Sequence, residues 1–143
     1  EGSGDMYPKG GNMLHTIRHI INDDTKWLGI LRGLNADFWH QTVSTEQIET
    51  YISQKASMDL SKVFDQYLRR TEIPLLKYKV SGKTVSFNYG RVVSGFAMPI
   101  RVSINGKEVA ITPKEAIQTL DFPEDIKTFE VNPNFYIDVE KQP

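Results

Sequence analysis

One stretch of the sequence could hold a phenol in a single position, aimed at a substrate. In Met6-Tyr7-Pro8-Lys9-Gly10-Gly11-Asn12, Pro8 fixes its own φ and biases Tyr7 towards extended backbone. Gly10 and Gly11 permit a tight turn and a close approach to whatever the chain faces. An apolar-periodic segment begins at once, with Met13, Leu14, Ile17, Ile20 and Ile21 at helical spacing. The expectation is a tyrosine on a rigid bend just ahead of a buried helix. Two readings fit that position. One is a tyrosine packed at the helix start. The other is a neutral hydrogen-bond donor held for chemistry, since a phenol with pKa about 10 keeps its proton at neutral pH.

A second pair of residues invites a metal reading. His15 and His19 stand four apart on the same predicted helix, a spacing at which two imidazoles can share zinc. The zincin pattern also requires Glu directly after the first His, as general base. Here Thr16 stands in that place, and Arg18 adds positive charge to the helix. The pair therefore reads as a polar helix face, of the kind another domain of a longer chain covers. His40 follows Trp39 with no nucleophile context around it. The sequence has no P-loop, no dinucleotide fingerprint and no EF-hand loop. Its acidic residues are scattered at caps and turns. Absence of cysteine excludes disulfides and thiol chemistry.

The elements that must position these residues divide at Pro74. Before it, the spacing predicts four helices: 12–22, 24–38, 45–55 and 60–70. Asp23 or Asp24 opens the second, which buries Trp27, Leu28, Leu31, Leu34 and Phe38. Gly29 and Gly33 weaken it by roughly 1 kcal/mol each relative to Ala and leave room for a neighbouring helix. Ser44 with Gln47 forms a capping box for the third, which buries Ile48, Tyr51 and Ile52. Asp59 caps the fourth, with Leu60, Val63, Phe64, Tyr67 and Leu68 on its inner side. Arg69 and Arg70 compensate the dipole in its last turn.

After Pro74 the period becomes two. Leu76, Tyr78 and Val80 alternate into a turn at Ser81-Gly82, and Val85, Phe87 and Tyr89 alternate back. Residues 90–95 form a loop. Phe96, Met98, Ile100, Val102 and Ile104 make the longest strand, with Pro99 marking an edge or a bulge. Asn105-Gly106 is the strongest hairpin signal, returning through Val109 and Ile111. Short strands follow near 117–121, 127–131 and 135–139. The fold class is α+β: about four helices, then an antiparallel β-sandwich of about seven strands.

The net charge is −1 over 143 residues. The halves differ little: residues 1–72 carry 8 basic and 10 acidic side chains, which leaves 9 and 8 of the totals of 17 and 18. No basic patch argues for nucleic acid. No apolar run is long enough to span a membrane as a helix. The opening Glu1-Gly2-Ser3-Gly4-Asp5, without an initiator Met, reads as the start of a fragment of a longer parent.

Several short motifs, in order, resemble the aminopeptidase N family of zinc peptidases, which includes leukotriene hydrolase. Tyr7-Pro8-Lys9-Gly10 ahead of an apolar helix resembles the family's Tyr-x-Lys-Gly segment. Thr45-Glu46-Gln47-Ile48 is similar to its Thr-Thr-x-x-Leu helix start. Residues Asp59 to Leu68 resemble its Asp-Leu…Phe-Phe…Gln-Trp helix, with Tyr67 where Trp is usual. Thr71-Glu72-Ile73-Pro74-Leu75-Leu76 resembles the Gly-x-Pro-x-Leu passage into a β-domain, with Glu72 in place of Gly.

The resemblance implies residues 1–73 as the end of a catalytic domain and residues 74–143 as the β-sandwich that follows. It also implies a peptide substrate for the full-length parent, and a partner in the upstream catalytic domain of the same chain. It makes Tyr7 the catalytic tyrosine, with Lys9 and Gly10 in supporting roles: Gly10 for the turn, Lys9 for charge pairing. The zinc cofactor, its ligands and the base Glu belong to the parent, upstream of Tyr7; this fragment would hold no metal and be inactive alone. The third zinc ligand counted from a His15–His19 pair would fall on Phe38, which cannot serve. Two function classes stay open: part of a zinc aminopeptidase, or a non-catalytic relative whose helices and sandwich act as a protein-interaction or scaffold module.

Overall fold

The computed structural model of the chain describes residues 3–39, 41–42 and 44–143, with side chains from residue 11 onward. Four helices come first: α1 (Ser3–Ile21), α2 (Asp24–Asp37), α3 (Thr45–Ala56) and α4 (Ser61–Arg69). Their caps follow the sequence chemistry in two cases. Asp23 accepts from the Lys26 amide ahead of α2, and Ser44 with Gln47 forms a reciprocal capping box ahead of α3. At α4 the N-cap is Leu60, without a side-chain bond. Asp59, expected as the cap, sits one residue early and accepts from the Ser61 amide and hydroxyl instead.

The larger correction concerns α1. Its backbone is helical through Tyr7, Pro8, Lys9 and Gly10, where the sequence predicts a bend. Proline has a helix-compatible φ, and in the second turn only one ladder bond is lost. Extension of a helix already formed from residue 12 onward is cooperative and outweighs that loss.

Buried faces also differ in detail. In α2, Ile30 is buried with Trp27, whereas Leu28 is exposed, and Leu31 and Leu34 are half-buried. In α4 the buried residues are Val63, Phe64, Gln66 and Tyr67; Leu68 faces outward. Arg69 does more than compensate a dipole: it reaches Glu49 on α3 at 2.7 Å and Asp65 at 3.1 Å.

From Leu75 onward the regular elements are strands. β1 (Leu75–Ser81), β2 (Thr84–Gly90), β3 (Ile100–Ile104), β4 (Lys107–Ile111), β5 (Gln118–Asp121), β6 (Phe129–Val131) and β7 (Asp138–Lys141) form two sheets. One has the order β5-β2-β1-β7 and the other β4-β3-β6. All ladders are antiparallel except β7, which runs parallel to β1. Asn105 and Gly106 both have positive φ, 52° and 83°, as a type I′ hairpin turn demands.

The alternation Phe96, Met98, Ile100, Val102, Ile104 is buried throughout, yet the strand starts only at Ile100. Pro99 has no N–H to give to a ladder. The segment before it is held by a single bridge, Ala97 to Lys114, and by a bond from the Met98 amide to the Pro113 carbonyl. The last strand is displaced too. Asn132-Pro133-Asn134 makes an Asx turn, with the Asn134 amide on Asn132 Oδ1, and β7 starts only at Asp138.

Helices and sheets bury one continuous apolar cluster. It runs from Met13, Ile17 and Ile20 through Val63 and Phe64 to Val85, Ile100 and Val102. Tyr78 of β1 stacks on Phe129 of β6 with centroids 4.4 Å apart, joining the two sheets. Among the described residues, no helix is long and apolar enough to cross a membrane.

Gly29 and Gly33 separate into different roles. A Cβ on Gly33 would collide with the hydroxyl of Tyr51 from α3, whereas Gly29 faces open space. Tyr51 cannot retreat freely, since its ring packs edge-on against Phe38 at 5.5 Å. Gly29→Ala is expected to raise stability by about 1 kcal/mol through helix propensity. Gly33→Ala is expected to lower it. Urea denaturation of the two variants beside wild type checks the pair; equal shifts in the same direction would contradict this packing.

Candidate functional site

Tyr7, Lys9 and Gly10 lie on the first turns of α1, and their side chains fall outside the described residues, as does His40. Tyr7 precedes His15 by eight residues, about 12 Å of helix rise. What the described residues build is the anchorage of that helix.

The second half of α1 lies against the loop of residues 132–137 and against β3. Thr16 is fully buried on the apolar face. Its hydroxyl donates to the Asn12 carbonyl at 2.8 Å and accepts from the Tyr136 amide at 2.9 Å. The carbonyl of the same Tyr136 accepts from the Tyr67 hydroxyl of α4 at 2.6 Å. Burial pushes the Tyr67 phenol well above its ordinary range, so it is a permanent donor here. One peptide residue thus ties two helices to the sandwich. Gln66 makes a second tie: its amide donates to the carbonyls of Glu72 and Arg91 and accepts from the Val93 amide.

Beside Thr16, His15 meets the 132–137 loop, and one turn further along α1 His19 meets β3. His15 Nε2 bonds Asn134 Oδ1 at 3.0 Å, beside a cleft of about 270 Å³ that Asn12, Asn132 and Tyr136 also line. The His15 and His19 rings are 4.5 Å apart. Arg101 of β3 donates to the His19 carbonyl at 2.8 Å, filling one of the acceptors that a helix end leaves open. Its other terminal nitrogen is 3.4 Å from His19 Nδ1. The guanidinium lies over Phe135, 5.1 Å from the ring centroid, and its Nε is 3.4 Å from Glu108. His19 is held below the ordinary imidazole pKa, first by burial and then by His15, Arg101 and Arg18, against a small opposing pull from Asp24.

Among the described residues no group of three His, Cys, Asp or Glu could hold a metal ion. A guanidinium occupies the space at His19 Nδ1, and its charge opposes a cation there. The pair instead belongs to the packing of α1 on the sandwich.

Sequence reasoning finds the histidine pair and, in Met13, Ile17 and Ile20, the buried face of α1, though Leu14 is exposed; it misses Arg101, Asn134 and the polar roles of Thr16, Tyr67 and Gln66. The available signals are small. Thr16 is the polar residue inside the Met13–Ile17–Ile20 stripe, and Tyr67 replaces the Trp of the resembled motif with a ring that carries a hydroxyl. Arg101 alternates outward on β3, a position that reads as solvent until α1 is laid across it.

No protein-family model matches the chain. Curated relatives do. The chain is 24% identical over 135 residues to a leucyl aminopeptidase of Saccharolobus solfataricus. It is 23% identical over 136 residues to probable aminopeptidase 1 of Sulfurisphaera tokodaii. Each alignment covers 90% of this chain and 17% of the relative, so the chain spans about a sixth of the length of the curated relatives it matches. Among solved structures, Legionella pneumophila aminopeptidase A in complex with aspartic acid superposes with a TM-score of 0.71. That likeness covers 95% of this chain and 17% of that one at 16% identity, and is one of fold.

The double tie at Tyr136 yields a test. Tyr67→Phe strands the Tyr136 carbonyl and Thr16→Val strands its amide; each is expected to lower stability by about 1–3 kcal/mol. The double variant should lose less than the sum, because both act on one peptide residue that shifts once either bond is gone. Denaturant melts of the four proteins measure the coupling; strict additivity would count against a shared clamp.

Proposed function

We propose that this chain is part of a zinc-dependent aminopeptidase that removes N-terminal residues from peptides, of the aminopeptidase N type. In this reading residues 1–73 complete the catalytic domain and residues 74–143 are the sandwich that follows it. The observation that carries it is the alignment of nine tenths of the chain with two curated aminopeptidases. The order of motifs from Tyr7 to Leu76 agrees with it.

The zinc of such an enzyme would be held by residues outside this sequence. What these residues would supply is a donor. Hydrolysis of a peptide bond develops negative charge on the carbonyl oxygen, and a neutral phenol held nearby stabilises it by roughly 3 kcal/mol, as oxyanion-hole donors do. Tyr7 is the residue given that role. A helical backbone at Tyr7 removes the turn-forming role from Gly10, so the position of the phenol would depend on how firmly α1 is anchored. Lys9 keeps a charge-pairing role with a neighbouring segment.

Two measurements test the proposal. The 143-residue chain alone is expected to hold no stoichiometric zinc and to hydrolyse no aminoacyl chromogenic substrate. Metal analysis finding one tightly bound zinc per chain would reverse the assignment of His15 and His19. In a longer protein that carries this stretch and is active, Tyr7→Phe should lower kcat by about two to three orders of magnitude with little change in KM. Zinc content and melting temperature should stay near wild type, since Phe keeps the ring. A kcat within about threefold of wild type would remove Tyr7 from the mechanism.

A further inference from the structure

We propose that the His19–Arg101 contact is a pH-sensitive latch between the helical segment and the β-sandwich, closed while the His19 imidazole is neutral and released when it takes up a proton. A guanidinium has only donors, so its approach to His19 Nδ1 at 3.4 Å requires a lone pair on that nitrogen and the proton on Nε2. Protonation would set an N–H against an N–H and one positive charge against another. The same guanidinium holds the His19 carbonyl at 2.8 Å, so displacing it also frees the end of α1.

The surroundings add to the repulsion. On α1 itself, His15 lies ring to ring with His19, and Arg18 is the preceding residue. From β3 comes Arg101 and from the 132–137 loop Phe135, 6.2 Å from the His19 ring, while the uncharged Asn134 of that loop bonds His15. The nearby carboxylates are engaged elsewhere: Asp24 of α2 is bidentate on Arg18, both bonds 2.9 Å, and Glu108 of β4 faces Arg101 Nε. No hydrogen bond or ion pair joins a carboxylate to His19 among the described residues.

The depressed pKa of His19 agrees in sign. A base whose folded pKa lies below its unfolded value binds fewer protons when folded. The docking of α1 is therefore complete above the unfolded value, about pH 6.5, and is lost progressively as pH falls below it.

The test uses the 143-residue chain. By NMR, His19 should show the Nε2–H tautomer at neutral pH, titrate below about 6.5, and move upward in Arg101→Gln. Exchange protection of the α1 amides and of the Tyr136 amide, corrected for intrinsic rates, should fall about tenfold from about pH 7.5 to about pH 5 relative to Val85 and Val102. His19→Gln keeps an acceptor for Arg101 without a titrating proton and should abolish that fall; His15→Gln should retain it. A protonated Nδ1 at neutral pH, or titration of His19 at or above about 6.5, would overturn the latch. So would an unchanged protection profile, the same fall in His19→Gln, or its loss in His15→Gln. If Arg101→Gln does not fold, the wild-type tautomer and titration still decide.

Discussion

The peptide residue Tyr136 is the point on which the two halves of the molecule depend. Its amide and carbonyl both lie at the part-buried junction of helices and sheet, where leaving a polar group unpaired is costly. Thr16 takes the amide and Tyr67 the carbonyl, so a short loop with no regular structure of its own carries the register of α1 against α4. Beyond these, α1 is tied to the strand region by Arg101 on the His19 carbonyl, and α4 by the bonds that Gln66, beside Tyr67, makes to Arg91 and Val93.

This explains why polar residues sit among apolar ones without weakening the interior. Thr16 and Gln66 are fully buried, and each uses both donor and acceptor capacity. A satisfied polar network fixes one arrangement of the helices, whereas apolar contact alone would tolerate several. Arg101 performs the same task at the rim. Its side chain is only 16% exposed, spread over Phe135 with its charge shared between Glu108 and the helix end.

Much of the fold is legible in the sequence because it rests on local rules. Asn105-Gly106 specifies its turn through backbone φ, Ser44 with Gln47 specifies a helix start, and the switch of period at Pro74 marks the change from helix to strand. What is not legible depends on distant partners. Residues 3–11 carry proline and glycine, yet they extend a helix whose buried face is fixed by the sheet. Phe135 and Ile137 alternate like a strand, but the Asx turn at Asn132 and the pull of Thr16 on Tyr136 hold them irregular. The histidine pair is visible by spacing alone, while the guanidinium that gives it meaning comes from 82 residues further on.

The parallel pairing of β7 with β1 sets an order on the birth of the molecule. Leu75 meets Asp138, made 63 residues later, and Thr16 meets Tyr136, made 120 residues later. At translation speeds of 5–20 residues per second, roughly 6 to 24 seconds separate the synthesis of Thr16 from that of Tyr136, and through that interval the face of α1 that meets the 132–137 loop and β3 is uncovered. Such a helix is a natural client for a holdase during that interval. Synonymous codon changes that slow the passage through residues 75–138 should then matter more for yield than equal delays before residue 13.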